Sequence, residues 1–170
     1  LYVGSLYPHK NIQLVIDALK QLPKTQLIIV GSRNVFQDKV KKYVTDRNLQ
    51  NQVSFLGFVP DEKLAELYAE STALVQPSLS EGFGLTGLEA LGLKTPVLAS
   101  DIPIFHEIYD SAATYFDPHS VEEFIKAYRS LAKQSAKSFA LRAQQTVSEY
   151  SWEKMAKKTY QTYTRAYEGK

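Results

Sequence analysis

The sequence of 170 residues predicts an α/β fold, in which a six-stranded parallel sheet lies between layers of helices. Short runs of β-branched and aliphatic residues alternate with longer segments whose apolar residues recur every three or four positions. The short runs are apolar on both faces, as expected of strands that are joined by helical crossovers and covered on both sides. We therefore expect a Rossmann-like three-layer sandwich, followed by a wholly helical tail.

Six segments carry the strand pattern, and each is rich in aliphatic residues. In chain order they are LYV at 1–3, QLIIV at 26–30, VSFL at 53–56, ALVQ at 73–76, PVLAS at 96–100 and ATYF at 113–116.

The segments between the strands have helical spacing. Asn11 is placed to cap the first helix and Pro23 to end it, and Asp61 is placed to cap the third. Beyond Phe116 the pattern is helical throughout, which predicts the tail. The predicted helices cover 12–22, 36–47, 61–70, 85–92, 121–132, 137–150 and a last segment from Ser151.

The composition is that of a soluble globular domain, with 44% hydrophobic and 22% charged residues. A net charge of +2 gives no field strong enough to indicate nucleic-acid binding. The absence of cysteine excludes disulfide bonds and thiolate metal sites. No apolar run approaches the roughly 20 residues needed to cross a bilayer. We expect a cytoplasmic location, either free or peripheral to the inner face of the membrane.

The length predicts a single domain, residues 1–170, in which 121–170 form the helical tail. The opening residues LYVG look like the second half of a buried strand. We therefore expect an excised domain, with part of the function carried by residues that precede Leu1.

Ligands of an open α/β sheet bind beyond the carboxyl ends of its strands. This rule selects the loops in which functional residues are expected. They are residues 4–10, 31–34, 57–60, 77–84 and 100–103.

The loop before the predicted helix 85–92 contains two glycines, Gly82 and Gly84. Glycine allows backbone conformations that other residues avoid and lets a ligand approach closely. The free N–H groups of Gly84, Leu85 and Thr86 begin the helix and attract anions, to which the helix dipole adds about 0.3 to 2 kcal/mol. A phosphate or diphosphate is the expected ligand.

Two acidic residues flank this anion site. Glu81 lies on the loop and would face the group attached to the phosphate, and Glu89 lies one turn into the helix, from which it can reach a polyol such as a ribose. The alternative is that both are solvated acids. The glycines beside Glu81, at the carboxyl end of a strand, favour the functional interpretation.

Lys10, in the loop GSLYPHKN, can neutralise a diphosphate, although a single lysine at this place is also typical of an exposed surface. The loop is neither a P-loop nor a dinucleotide fingerprint. Phe58 and Val59 can border a base or simply close the end of the sheet. The three histidines are too widely separated for a metal site, so we expect no metal.

Five blocks follow one another along almost the whole chain, and together they resemble a known family. They resemble the donor-binding half of retaining glycosyltransferases of family 4, enzymes of GT-B fold in which two Rossmann-like domains face each other across a cleft. The blocks are GSLYPHKN at 4–11, FLGFVPDEKL at 55–64, the E-x7-E motif EGFGLTGLE at 81–89, ALGLKTPVLAS at 90–100 and YSWEKMAKKTY at 150–160.

The resemblance implies roles for the matched residues. Glu81 would bind the hydroxyls of the transferred sugar, and Lys10 would bind the diphosphate and stabilise the charge of the leaving group. Glu89 would hold the ribose. Ser5 stands where many members of the family have a second cation, an Arg, which leaves Lys10 alone. The full set of implied donor-binding residues is Ser5, Lys10, Phe58, Val59, Glu81, Gly82, Phe83, Gly84, Leu85, Thr86 and Glu89.

The implied reaction is transfer of a hexose, with mannose favoured, from a GDP- or UDP-sugar to a glycan or lipid-linked acceptor, with retention and without metal or cofactor. The acceptor domain would lie amino-terminal to this sequence, so the isolated domain is expected to be inactive. The alternative is a non-catalytic nucleotide-binding or interaction module of the same fold. A nicotinamide-dependent dehydrogenase half is disfavoured because its glycine fingerprint is missing.

The tail supports the interaction alternative. Its basic and aromatic residues could contact a partner domain or an anionic membrane, although an ordinary solvated helix face is favoured. In the enzymes that the chain resembles, the tail crosses back to the acceptor half. These residues are Lys154, Lys157, Lys158, Arg165, Tyr160, Tyr163 and Tyr167.

Overall fold

The computed structural model describes residues 1–31 and 35–169, in which strands and helices alternate as predicted, with one further helix, Pro103–Tyr109, after the fifth strand. The strands are β1 (Tyr2–Val3), β2 (Leu27–Val30), β3 (Val53–Gly57), β4 (Leu74–Gln76), β5 (Val97–Ser100) and β6 (Ala113–Phe116). The α-helices are α1 (Ile12–Leu19), α2 (Gln37–Thr45), α3 (Asp61–Glu70), α4 (Leu85–Gly92), α5 (Pro103–Tyr109), α6 (Val121–Ser130), α7 (Ala136–Ser148) and α8 (Trp152–Tyr167).

The described strands pair in parallel, but as two three-stranded sheets, β1-β2-β3 and β4-β5-β6, where the sequence predicts one six-stranded sheet. The two sheets lie side by side. Val75 N–H donates to the carbonyl of Leu1 at 2.9 Å, and the Leu1 nitrogen donates to the carbonyl of Ala73 at 3.0 Å. The spatial order is therefore 3-2-1-4-5-6, and it reverses between β1 and β4, where a crevice for a ligand is expected.

Both faces of the sheets are covered, as the apolar strands predict. Successive residues of β5 show it, because Leu98 packs into one buried cluster and Ala99 into the other. The first cluster contains residues of α1, α2 and α6, and the second contains residues of α3, α4, α5 and α7. The three-layer arrangement is thus confirmed.

Two predicted helix caps are wrong. Asn11 precedes α1, but it has left-handed backbone angles (φ 54°) and its side-chain amide donates to the carbonyl of Pro118 at 2.8 Å. Asp61 is the first residue of α3, and Pro60 occupies the cap position. Asn11 ends the preceding turn, Pro8–Lys10, because its N–H donates to the carbonyl of Pro8, and this conformation prevents the capping geometry.

The tail is helical as predicted, and Ser120, Ser135 and Ser151 cap its three helices by accepting a hydrogen bond from the N–H three residues on. α8 buries no side chain, and Tyr160 is 73% exposed. Tyr163 and Tyr167 of the same helix are 71% and 94% exposed in the described part of the chain. No helix within residues 1–31 and 35–169 is both long and apolar enough to cross a membrane.

Candidate functional site

A cavity of about 310 Å³ opens at the carboxyl ends of β1 and β4, where the strand order reverses. Eight of the predicted donor-binding residues line it. These are Ser5, Lys10, Glu81, Gly82, Phe83, Gly84, Leu85 and Thr86. The other lining residues are Tyr2, Val3, Gly4, Gln76 and Ser78. The structure thus brings the loop of residues 4–10 and the loop of residues 77–84 together into one cavity.

Lys10 and Glu81 form an ion pair inside this cavity. Lys10 Nζ lies 2.5 Å from Glu81 Oε2, and the two side chains are 18% and 17% exposed. A second bond joins the same two loops, because Leu79 N–H donates to the carbonyl of His9 at 2.8 Å. Both charged groups are therefore held in the cavity by contacts between the loops that follow β1 and β4.

The amino end of α4 also faces the cavity. Gly84 has a left-handed backbone (φ 98°), a conformation that favours glycine, and it starts the helix. The first N–H groups of a helix have no partner within it, so those of Leu85 and Thr86 are available to an anion. Gly82 has no left-handed φ, but a side chain there would touch no protein atom within 4 Å, so it leaves space beside the cavity.

A buried polar network lies behind this helix start, and the sequence does not reveal it. Gln76, the last residue of β4, is 5% exposed, and its amide nitrogen donates to Thr86 Oγ1 at 2.9 Å. The hydroxyl of the fully buried Tyr109 lies 2.6 Å from Gln76 Oε1 and 2.5 Å from the carbonyl oxygen of Gly84. Burial raises the pKa of Tyr109, so its hydroxyl stays protonated. The one signal in the sequence is a glutamine that ends the apolar run ALVQ.

Glu89 does not line the cavity. It lies one turn further along α4, is exposed, and accepts a hydrogen bond from the hydroxyl of Tyr68 at 2.9 Å. Burial, together with the charge of Glu89, raises the pKa of Tyr68. The hydroxyl of Tyr68 therefore fixes the orientation of the Glu89 carboxylate, which lies outside the cavity that contains Glu81.

Phe58 and Val59 do not line the cavity either. Phe58 is 81% exposed, and Val59 packs partly against the second buried cluster. They follow β3, which is separated from β1 by β2, and two strand spacings amount to about 10 Å.

The match to a family model decides the classification. Residues 1–154 match the model described as "Glycosyl transferases group 1". The chain belongs to the group 1 glycosyltransferases. The family that the sequence resembles is thus confirmed at this level.

Relatives of this glycosyltransferase chain include two curated proteins. The chain is 38% identical to O-antigen chain mannosyltransferase RfbU of Salmonella typhimurium, over 77% of its own length and 37% of that protein. It is 33% identical to O-antigen chain mannosyltransferase B of Escherichia coli, over 96% of its own length and 45% of that protein. The chain therefore spans less than half the length of these relatives.

Solved structures show the same fold. The sucrose-phosphate synthase of Thermosynechococcus elongatus superposes with a TM-score of 0.85 at 24% identity, covering 99% of this chain and 46% of that one. The Anabaena protein HepE, solved in complex with UDP and glucose, gives a TM-score of 0.81 at 24% identity, covering 96% and 48%. The described fold is thus that of a Rossmann-like half of a GT-B glycosyltransferase.

The remaining loops of this glycosyltransferase fold contribute less to the cavity. Of the predicted loop 31–34, residues 32–34 lie outside the described residues. Gly31 approaches the first loop closely, because a Cβ on it would lie 2.1 Å from the carbonyl oxygen of Gly4. In loop 100–103, Asp101 pairs with His106 at 2.6 Å on the surface. No group of three or more acidic or histidine residues in the described ranges could hold a metal ion.

Proposed function

We propose that this chain is the donor-binding domain of a retaining hexosyltransferase, which transfers a hexose, mannose in particular, from a GDP- or UDP-sugar to a glycan or lipid-linked acceptor. The observation that carries the proposal is the Lys10–Glu81 pair, which shares one cavity with the free N–H groups of α4. Two further facts support it. Relatives of the chain are O-antigen mannosyltransferases, and a structure of the same fold contains UDP and glucose.

In this proposal the cavity holds the diphosphate and the sugar. Lys10 is the one basic residue among the described residues that line it, so it neutralises the diphosphate and stabilises the charge on the leaving group. Glu81 exchanges its bond to Lys10 for bonds to the hydroxyls of the sugar. The backbone from Gly82 to Leu85 borders the sugar and the phosphates, and the N–H groups of Leu85 and Thr86 bind the anion.

The nucleoside extends from the cavity along the carboxyl edge of the sheet. Glu89 binds the hydroxyls of the ribose, and Phe58 and Val59 border the base. Their places outside the cavity agree with this arrangement, because the nucleoside lies on the far side of the diphosphate from the sugar. The acceptor attacks on the face from which the diphosphate leaves, so the reaction needs no nucleophile from the protein.

Titration calorimetry with GDP-mannose and UDP-glucose tests the proposal. The domain should bind at least one of them, and Glu89→Ala should weaken that binding about five- to tenfold, the effect of losing a hydrogen bond of about 1 to 1.5 kcal/mol. The loss should shrink when the 2′-deoxy form of the nucleotide is used, because the partner of Glu89 is then missing.

Glu153→Ala serves as the matched control, since Glu153 is an exposed acid on α8, outside the cavity lining. Its binding should equal that of the wild type. A wild-type domain that binds no nucleotide sugar would contradict the proposal and favour the non-catalytic alternative, in which the exposed α8 docks on a partner.

We also propose that residues outside this sequence bind the acceptor, because the relatives are more than twice as long as the segment they share with this chain. The 170-residue chain should therefore bind the donor and transfer no sugar. A radiolabelled-mannose assay with a cell-surface glycan acceptor checks this expectation. Turnover by the chain alone, above the background of donor hydrolysis, would show that the acceptor site lies within it.

A further inference from the structure

The polar atoms of Gln76 and Tyr109 bond to the start of α4 and to each other. Gln76 follows Leu74 and Val75, which are both buried in apolar clusters, and a buried amide is costly unless it is hydrogen-bonded. Its nitrogen contacts Thr86, and its oxygen contacts Tyr109. A leucine and a phenylalanine would fill the same space without this cost, so the polar groups call for another explanation.

Tyr109 fixes the direction of a backbone donor. The carbonyl oxygen of Gly84 lies 2.5 Å from the Tyr109 hydroxyl and also accepts the N–H of Gly87 at 3.0 Å. In a planar trans peptide the C=O and the N–H point in opposite directions. The N–H of Leu85 belongs to the same peptide as the Gly84 carbonyl, so it points away from Tyr109. Leu85 itself lines the cavity.

Gln76 determines that the hydroxyl of Thr86 acts as a donor toward the cavity. Its amide nitrogen donates to Thr86 Oγ1, which uses an acceptor site of that hydroxyl and leaves its proton free. Thr86 lines the cavity too. The hydroxyl is therefore prepared to donate a hydrogen bond to a ligand there.

We propose that Tyr109 and Gln76 are positioning residues, which hold the first turn of α4 so that Leu85 N–H and Thr86 O–H are donated to the diphosphate of a nucleotide sugar. The inference rests on the proposed function, because that function supplies the ligand. Tyr109 and Gln76 act through the helix start, and neither needs to contact the diphosphate.

Tyr109→Phe tests this role because it removes the hydroxyl and keeps the ring. Calorimetry measures the binding of GDP-mannose and of UDP-glucose. For whichever of these the wild type binds, the affinity of Tyr109→Phe should be about tenfold lower. A second readout follows the amide signals of Leu85 and Thr86 in ¹⁵N NMR spectra. In the variant, the ligand should shift them less than in the wild type, an effect that a loss of stability alone would not produce.

Tyr115→Phe is the matched control. The Tyr115 hydroxyl lies 3.1 Å from the carbonyl oxygen of Phe105 and 2.7 Å from that of Asp110, so the substitution removes a hydrogen bond of the same kind near α5, away from the cavity lining. Its affinity should equal that of the wild type. Gln76→Met, which keeps the length of the side chain, should weaken binding like Tyr109→Phe and carries the test where Tyr109→Phe fails to fold.

Equal affinity of the wild type and both variants would overturn the positioning role and leave the proposed function intact. An equal loss in Tyr115→Phe would also overturn it, because the effect would then be one of general packing. A wild-type domain that binds neither sugar nucleotide would instead overturn the proposed function, and the positioning role with it.

Discussion

Lys10→Ala is expected to lower the affinity for a nucleotide sugar about 100-fold, a loss of about 3 kcal/mol. Lys10 is the one cation among the described residues that line the cavity, and Ser5, which also lines it, carries no charge. The substitution also leaves Glu81 without its partner, so an uncompensated carboxylate would face the diphosphate. Calorimetry with GDP, GDP-mannose, UDP and UDP-glucose measures the loss.

Glu81→Gln should raise the affinity of the domain for a free nucleotide, GDP or UDP, whereas Lys10→Ala lowers it. Glu81 is the counter-ion of Lys10, at 2.5 Å, and must release it before a diphosphate can bind. Glutamine removes this competition, so GDP or UDP should bind more tightly than to the wild type. The sugar nucleotide should gain less, because a bond between Glu81 and the sugar is lost.

The control for Lys10→Ala is Lys42→Ala. Lys42 pairs with Asp46 at 2.8 Å, but the two side chains are 74% and 51% exposed, so the pair contributes little to stability and lies outside the cavity lining. Its donor affinity should equal that of the wild type. A Lys10→Ala affinity within threefold of the wild type would show that the diphosphate is held elsewhere.

The sequence is informative about this fold where hydrophobic spacing is strong. The strands of the second sheet consist mostly of apolar residues, and their predicted bounds differ from the observed ones by at most one residue, as at β5. The sequence does not predict α5, because this helix has only seven residues and Pro103 begins it two residues after the loop that follows β5 starts. A helix of this length is too short for its apolar residues to show a helical repeat, so the sequence pattern does not reveal it.

The residues of the candidate site also fall into those that the sequence predicts and those that it does not. Lys10 and Glu81 could be predicted because their loops follow strands and carry charge, and the structure brings them into one cavity. Tyr109 could not, since it lies 28 positions beyond Glu81 and nothing in its local sequence distinguishes it from a core aromatic. Its role depends on the contact of its side chain with the start of α4, which is a property of the tertiary structure.

Gly87→Ala shows how strongly this packing constrains the sequence, and it is expected to destabilise the domain by about 3 kcal/mol. A Cβ at position 87 would lie 2.3 Å from the Cζ and hydroxyl of Tyr109 and 2.6 Å from Gln76 Oε1. Tyr109 is fully buried and cannot move aside. The glycine in the E-x7-E segment is therefore required by the tyrosine behind it. For a domain of this size the unfolding temperature should fall by about 10 °C.

Gly92→Ala is the matched control, because Gly92 lies in the same helix and a Cβ there would meet no atom within 4 Å. It should stabilise the domain by about 0.5 to 1 kcal/mol, since alanine loses less backbone entropy in a helix.

Combining Gly87→Ala with Tyr109→Leu should cost less than the sum of the two single changes, because the smaller side chain leaves room for the methyl group. Thermal unfolding followed by circular dichroism measures all four variants. If Gly87→Ala unfolds at the wild-type temperature, the close contact between α4 and Tyr109 does not exist in solution, and the positioning of the helix start by Tyr109 fails with it.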